Sequence, residues 1–159
     1  MPVVRVRELD LGVRPESAVS AALLLQSEER TFLTFNAVRR DSSGLFQVVG
    51  TAVVEFESCQ ATRFGYPNDE ALAGHPLFDK GLDSVGAYEV ENSSWIRSIA
   101  EQNRISFPNS REDEKTSHHY VFVFHDSTFE CVADKFHLEI SMAPVEEILA
   151  DLSRRLLSD

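Results

Sequence analysis

At 159 residues, with 43% hydrophobic side chains and eleven Phe, the chain has the size of one domain (1–159) with one sizeable core. Its formal net charge is −11 and its pI about 4.8, a balance that repels phosphate backbones and anionic lipids and so disfavours nucleic-acid and membrane-surface binding. No apolar run approaches the roughly 20 residues of a membrane helix, and residues 1–7 lack the apolar core of a signal peptide.

In chain order, residues 3–11 predict a short, ragged strand. Pro15-Glu16-Ser17 leads into an apolar run over 18–26 that fits helix or strand, with strand favoured. After the polar break Ser27-Glu28-Glu29-Arg30, Leu33, Phe35 and Ala37 alternate over 31–39, completing a hairpin. Asp41-Ser42-Ser43-Gly44 is a turn signal. Residues 45–64 predict one long strand, and Gly50 inside it marks a bulge or bend. Residues 65–82 combine Gly and Pro with Tyr66, Leu72 and Phe78, which a flexible linker would not need, so an ordered loop folded onto the sheet is expected.

A short strand over 86–90 follows. Asn92, Ser93 and Ser94 are cap candidates for a helix over about 94–104 with Trp95, Ile96, Ile99 and Ala100 on its apolar stripe. Residues 108–117 are polar and turn-rich, as a mobile loop would be. Residues 118–133 alternate in two phases about Asp126-Ser127, the pattern of a β-hairpin that reverses at that pair. That register sets Phe124 opposite Phe129 and Phe122 opposite Cys131, and it makes His125 and Glu130 diagonal neighbours on the other face. The second strand extends past Asp134 through Phe136, Leu138 and Ile140. Val145, Ile148, Leu149, Leu152 and Leu156 then form one face of a helix over 144–157, with Glu146 and Glu147 in its first turn and Arg154 and Arg155 in its last.

The expected fold is therefore α+β: a mostly antiparallel β-sheet with two main helices, about 94–104 and 144–157, packed on one of its faces.

Candidate chemistry is sparse. The five histidines lack the i, i+4 spacing of a helical zinc motif, and Cys59 and Cys131 give no ligand pair, so neither a metal nor another cofactor is expected. The same cysteine usage fits a reduced, cytoplasmic protein, with a single disulfide as the alternative. No phosphate loop or nucleophile-elbow motif is present. His125 and Glu130 are either a base with its orienting carboxylate, with Asp126 beside them, or solvated groups on an open face. Tyr66, Asn68, Asp69 and His75 gather in the ordered loop, where they either bind a ligand or cap and turn the chain. Trp95 is either a core anchor or a stacking platform.

The blocks Phe64-Gly65-Tyr66-Pro67-Asn68-Asp69-Glu70, Gly74-His75-Pro76-Leu77 and Phe124-His125-Asp126-Ser127-Thr128-Phe129-Glu130-Cys131 resemble blocks in a family of small uncharacterised bacterial proteins. The resemblance implies a bacterial origin and one compact domain, and no activity.

Two function classes follow. One is an acidic binding or interaction protein, a regulator or neutralising factor for a basic protein partner. The alternative is a small-molecule enzyme or ligand binder that uses His125, Glu130 and the His75 loop. No oligomeric state is implied.

Overall fold

Alternation with period two gives each strand one apolar side, and two such surfaces must cover each other to leave water. The computed structural model, which describes residues 2–110 and 116–158, shows this arrangement. Ten strands follow in chain order among the described residues: β1 (Arg5–Glu8), β2 (Arg14–Pro15), β3 (Leu23–Gln26), β4 (Thr31–Arg40), β5 (Phe46–Glu57), β6 (Ala61–Gly65), β7 (Gly86–Glu91), β8 (His118–Val123), β9 (Thr128–Ala133) and β10 (Lys135–Ser141). One sheet has the order β1-β7-β8-β9-β6. The other has the order β10-β5-β4-β2, with β3 also on β4. Every pairing is antiparallel.

Leu33, Phe35, Ala52, Val54 and Phe56 of the second sheet pack on Tyr120, Phe122, Phe124, Phe129 and Cys131 of the first. Phe56 is central: its ring lies 5.3 Å from Phe129, 5.8 Å from Phe122 and 6.1 Å from Phe136, centroid to centroid. The α+β class holds, with its antiparallel sheet divided into two layers. The two helices, α1 (Ser94–Ser106) and α2 (Val145–Leu157), do not share one face as expected. On α2, Ile148 and Leu152 cover Phe32 and Val53 on the outer side of the second sheet. At the start of α1, Trp95 meets His119 of the first sheet.

Three expectations need correction. The long strand over 45–64 is two strands: Ser58, with φ of 52°, breaks it, and β6 continues in the other sheet. The strand after Cys131 likewise changes sheets at Asp134, whose amide donates to the Glu57 carbonyl at 2.9 Å. Alternation keeps its phase across the first break, from Phe56 to Phe64, and so cannot mark it; across the second the inward set slips by one residue, from Cys131 and Ala133 to Phe136 and Leu138, and that slip marks the break. The third correction is the hairpin register. Phe122 pairs with Phe129 and Tyr120 with Cys131, while the Phe124 amide donates to the Ser127 carbonyl at 2.8 Å, so the chain reverses at His125-Asp126. This register differs from the expected one by two residues, which leaves every side chain on its expected face.

Other expectations stand. Gly50 lies at a bulge, where the ladder steps from Ala37↔Gly50 to Val38↔Val48. Its φ is 143°, and a Cβ there would lie 2.6 Å from the Ser141 carbonyl oxygen. The loop 65–82 folds onto the outer face of the first sheet through two short 3-10 helices, Asp69–Gly74 and Phe78–Lys80. Its Leu72 and Leu82 are buried with Tyr88, Val90, Val121 and Val123. Residues 111–115 of the expected mobile loop over 108–117 lie outside the described residues.

Candidate functional site

With Phe122 facing inward, the same alternation turns His119, Val121 and Glu130 to the outer face of the first sheet. Glu130 pairs with Val121, so His119 is its diagonal neighbour. The loop brings His75 down on the same carboxylate. His75 Nε2 lies 3.0 Å from Glu130 Oε2, and His119 Nε2 lies 2.9 Å from Glu130 Oε1. All three residues are buried, at 9%, 4% and 7% exposure for His75, His119 and Glu130.

The proton directions in this network follow from its partners. The Leu77 amide donates to His75 Nδ1 at 3.0 Å, which places the imidazole proton on Nε2, pointing at Glu130. A histidine held this way is a donor and not a metal ligand, because ligating imidazoles donate from their other nitrogen. At the far end, Ser93 Oγ lies 2.7 Å from His119 Nδ1 and accepts the Ile96 amide at 3.2 Å, capping α1. Glu130 thus accepts from two imidazoles. Burial pushes its carboxyl up, but the bonds from His119 and His75 outweigh this and hold it at about 2. No buried side-chain nitrogen or oxygen among the described residues lacks a partner.

The expected pair of His125 and Glu130 is not formed. His125 lies in the turn, four residues beyond the partner of Glu130, on the order of 13 Å along the strand. Its Nδ1 is 3.0 Å from Asp69 Oδ2, and Asp126 Oδ1 is 3.8 Å from its Nε2. The bond to Asp69 raises the His125 pKa above its ordinary value. The Asp69 amide also donates to the His125 carbonyl at 3.0 Å and the Thr128 hydroxyl to the Pro67 carbonyl at 3.0 Å, so loop and hairpin are tied here as well as at His75. Asn68 caps the first 3-10 helix through the Ala71 amide. Tyr66 projects into solvent at 86% exposure, away from both clusters. Trp95 stands edge-on to His119, and the Arg63 guanidinium lies over the Trp95 ring, 4.0 Å from its centroid. Sequence reasoning missed His119 as a partner of Glu130 and Ser93 as the partner of His119. The signal was the hairpin register, which had it been set two residues earlier would have named His119.

A separate cavity of about 620 Å³ opens at the turn end of the first sheet. Val38, Phe46 and Val48 give it an apolar wall, and Glu16, Asp69 and Glu70 line it with carboxylates. Arg14 is the basic side chain among the described residues lining it, and it is already engaged with Glu8 at 3.6 Å and the Val85 carbonyl at 3.1 Å. Among the described residues no helix is long and apolar enough to cross a membrane. Compared with models of known families, with curated proteins and with solved structures, the chain matches none.

Proposed function

We propose that this chain is a small cytoplasmic binding protein that seats a basic, partly apolar segment of a partner protein. The observation that carries this reading is the 620 Å³ cavity, with three carboxylates set against an apolar wall. Leu45, Phe46 and Val48 are 63%, 46% and 56% exposed beside it, an apolar rim that a partner would cover. The net charge of −11 extends the local field and speeds encounter with a cation. Such a protein would regulate or neutralise its partner by occupying the basic segment.

The test is fluorescence anisotropy with a labelled peptide of alternating Lys and Leu, and with its Glu/Leu counterpart as control. The basic peptide should bind and weaken as salt rises. The double variant Glu16→Gln, Glu70→Gln should lose affinity several-fold, and Phe46→Ser should lose it too. Equal binding of both peptides, or unchanged affinity in the variants, would leave the charge a role in solubility alone.

A further inference from the structure

The buried series Ser93, His119, Glu130 has the composition of a nucleophile, a base and the carboxylate that holds the base. Ser93 caps a helix, but a cap needs only an acceptor for a backbone amide. Here the hydroxyl also meets an imidazole at 2.7 Å, and that imidazole is backed by a carboxylate at 2.9 Å. Ser93 forms part of the wall of a groove of about 340 Å³ with Val90, Asn92, Ile96, Arg97 and His118. It sits on a sharp strand-to-helix turn: β7 ends at Glu91, Asn92 has φ of 57°, and α1 begins at Ser94. The amides of Ser94 and Trp95 are first-turn groups without intrahelical acceptors, at the positive end of α1.

We propose that Ser93 is a nucleophile toward small carboxylic esters, with His119 as its general base and Glu130 as the positioning residue that orients His119. This activity goes beyond the binding reading and lies at the opposite end of the first sheet from the cavity. Ser93 Oγ attacks the ester carbonyl carbon and its proton passes to His119 Nδ1. The carbonyl π pair moves to oxygen, where the Ser94 and Trp95 amides are the available donors. Collapse breaks the bond to the leaving oxygen, which takes the proton from His119 and departs as an alcohol. Water then attacks the acyl-serine and gives a proton to His119, which returns it to Ser93 Oγ as the carboxylic acid leaves.

The experiment is labelling of the full chain with a fluorophosphonate, read by peptide mass spectrometry, beside hydrolysis of para-nitrophenyl acetate. One adduct on Ser93 is expected. Ser93→Asn keeps a capping oxygen, so it should fold with an unchanged thermal midpoint, take no label at position 93 and lose ester turnover. His119→Gln should slow labelling by about 100-fold or more. Glu130 from β9 and Ser93 and Trp95 at the start of α1 face His119, with Arg63 of β6 over the Trp95 ring and His75 of the loop on the other oxygen of Glu130. Glu130→Gln loosens the hold on His119 without touching the ester, so it should lower kcat for para-nitrophenyl acetate at least 10-fold with KM little changed. No adduct on the folded wild-type chain, an adduct on another serine, turnover retained in Ser93→Asn, or an unchanged kcat in Glu130→Gln would overturn the proposal.

Discussion

Glu130 Oε2 and His75 Nε2 are 3.0 Å apart although 55 residues separate them along the chain. The bond pins the loop 65–82 to the sheet, and its partner on the other oxygen pins the sheet to α1 through Ser93. Removing the carboxylate leaves two buried imidazoles without their acceptor. Glu130→Ala should therefore destabilise the fold by about 3–5 kcal/mol. Urea unfolding at neutral pH measures this, and a loss below about 1 kcal/mol would mean that water replaces the carboxylate at little cost.

The same group sets an acid dependence. Its carboxyl is held at about 2 in the fold against an ordinary 4.5. A depressed value contributes stability that is present above pH 4.5 and is lost as pH falls from there toward 2. The contribution is on the order of 3 kcal/mol. Wild-type stability should drop across this window by more than that of Glu130→Gln, which has nothing to titrate at this position.

His125 behaves in the opposite sense. Its pKa is raised by Asp69, so whatever stability the pair contributes is fully present below the ordinary value of 6.5 and is lost as pH rises through the raised one. An NMR titration of the imidazole should show a midpoint above 6.5, and Asp69→Asn should bring it down. An unmoved midpoint would mean that the hydrogen bond does not persist in solution.

The thiols should differ in reactivity. Hydrogen bonding from Cys131 brings Cys59 down to about 7, whereas burial pushes Cys131 well up. Cys59 is partly exposed and Cys131 buried. Iodoacetamide near neutral pH should modify Cys59 in the folded protein and reach Cys131 only after denaturation, as peptide mapping would show.

Phe56→Ala should cost about 3–5 kcal/mol, because the ring is 2% exposed and central to the aromatic layer. Phe64→Ala, at 41% exposure on an edge strand, should cost clearly less. Equal losses at the two positions would contradict the packing described.

The fold was legible where one element carries its own pattern. Leu33, Phe35 and Ala37 announce a strand, Ile148 and Leu152 a helix face, and Gly50 its bulge. The first change of sheet is hidden, since Phe56 and Phe64 are in phase across Ser58, whereas the second was legible, since the inward set moves from Cys131 and Ala133 to Phe136 and Leu138 across Asp134. The candidate site was half legible for a related reason. Glu130, His75 and Asp69 were singled out, but their partners were exchanged. A slip of two residues in the hairpin preserves both faces and still moves Glu130 from His125 to His119. Ser93 gave only the signal of a helix cap, a role it also fills.

The two strand exchanges lie side by side. The Gln60 amide donates to the Val132 carbonyl and the Asp134 amide to the Glu57 carbonyl, each at 2.8–2.9 Å. They act as the spine of a book whose two covers are the sheets. Near the spine stand Ser117, Ser93 and His119, with Gln60 Nε2 bonded to Ser117 Oγ at 3.1 Å. The 620 Å³ cavity is at the fore-edge, between the ends of β4 and β5 and the segment that precedes β7. Opening motions of such a body grow with distance from the spine. Amide exchange should therefore quicken along β5 from Phe56 toward Val48, with distance from these two bonds.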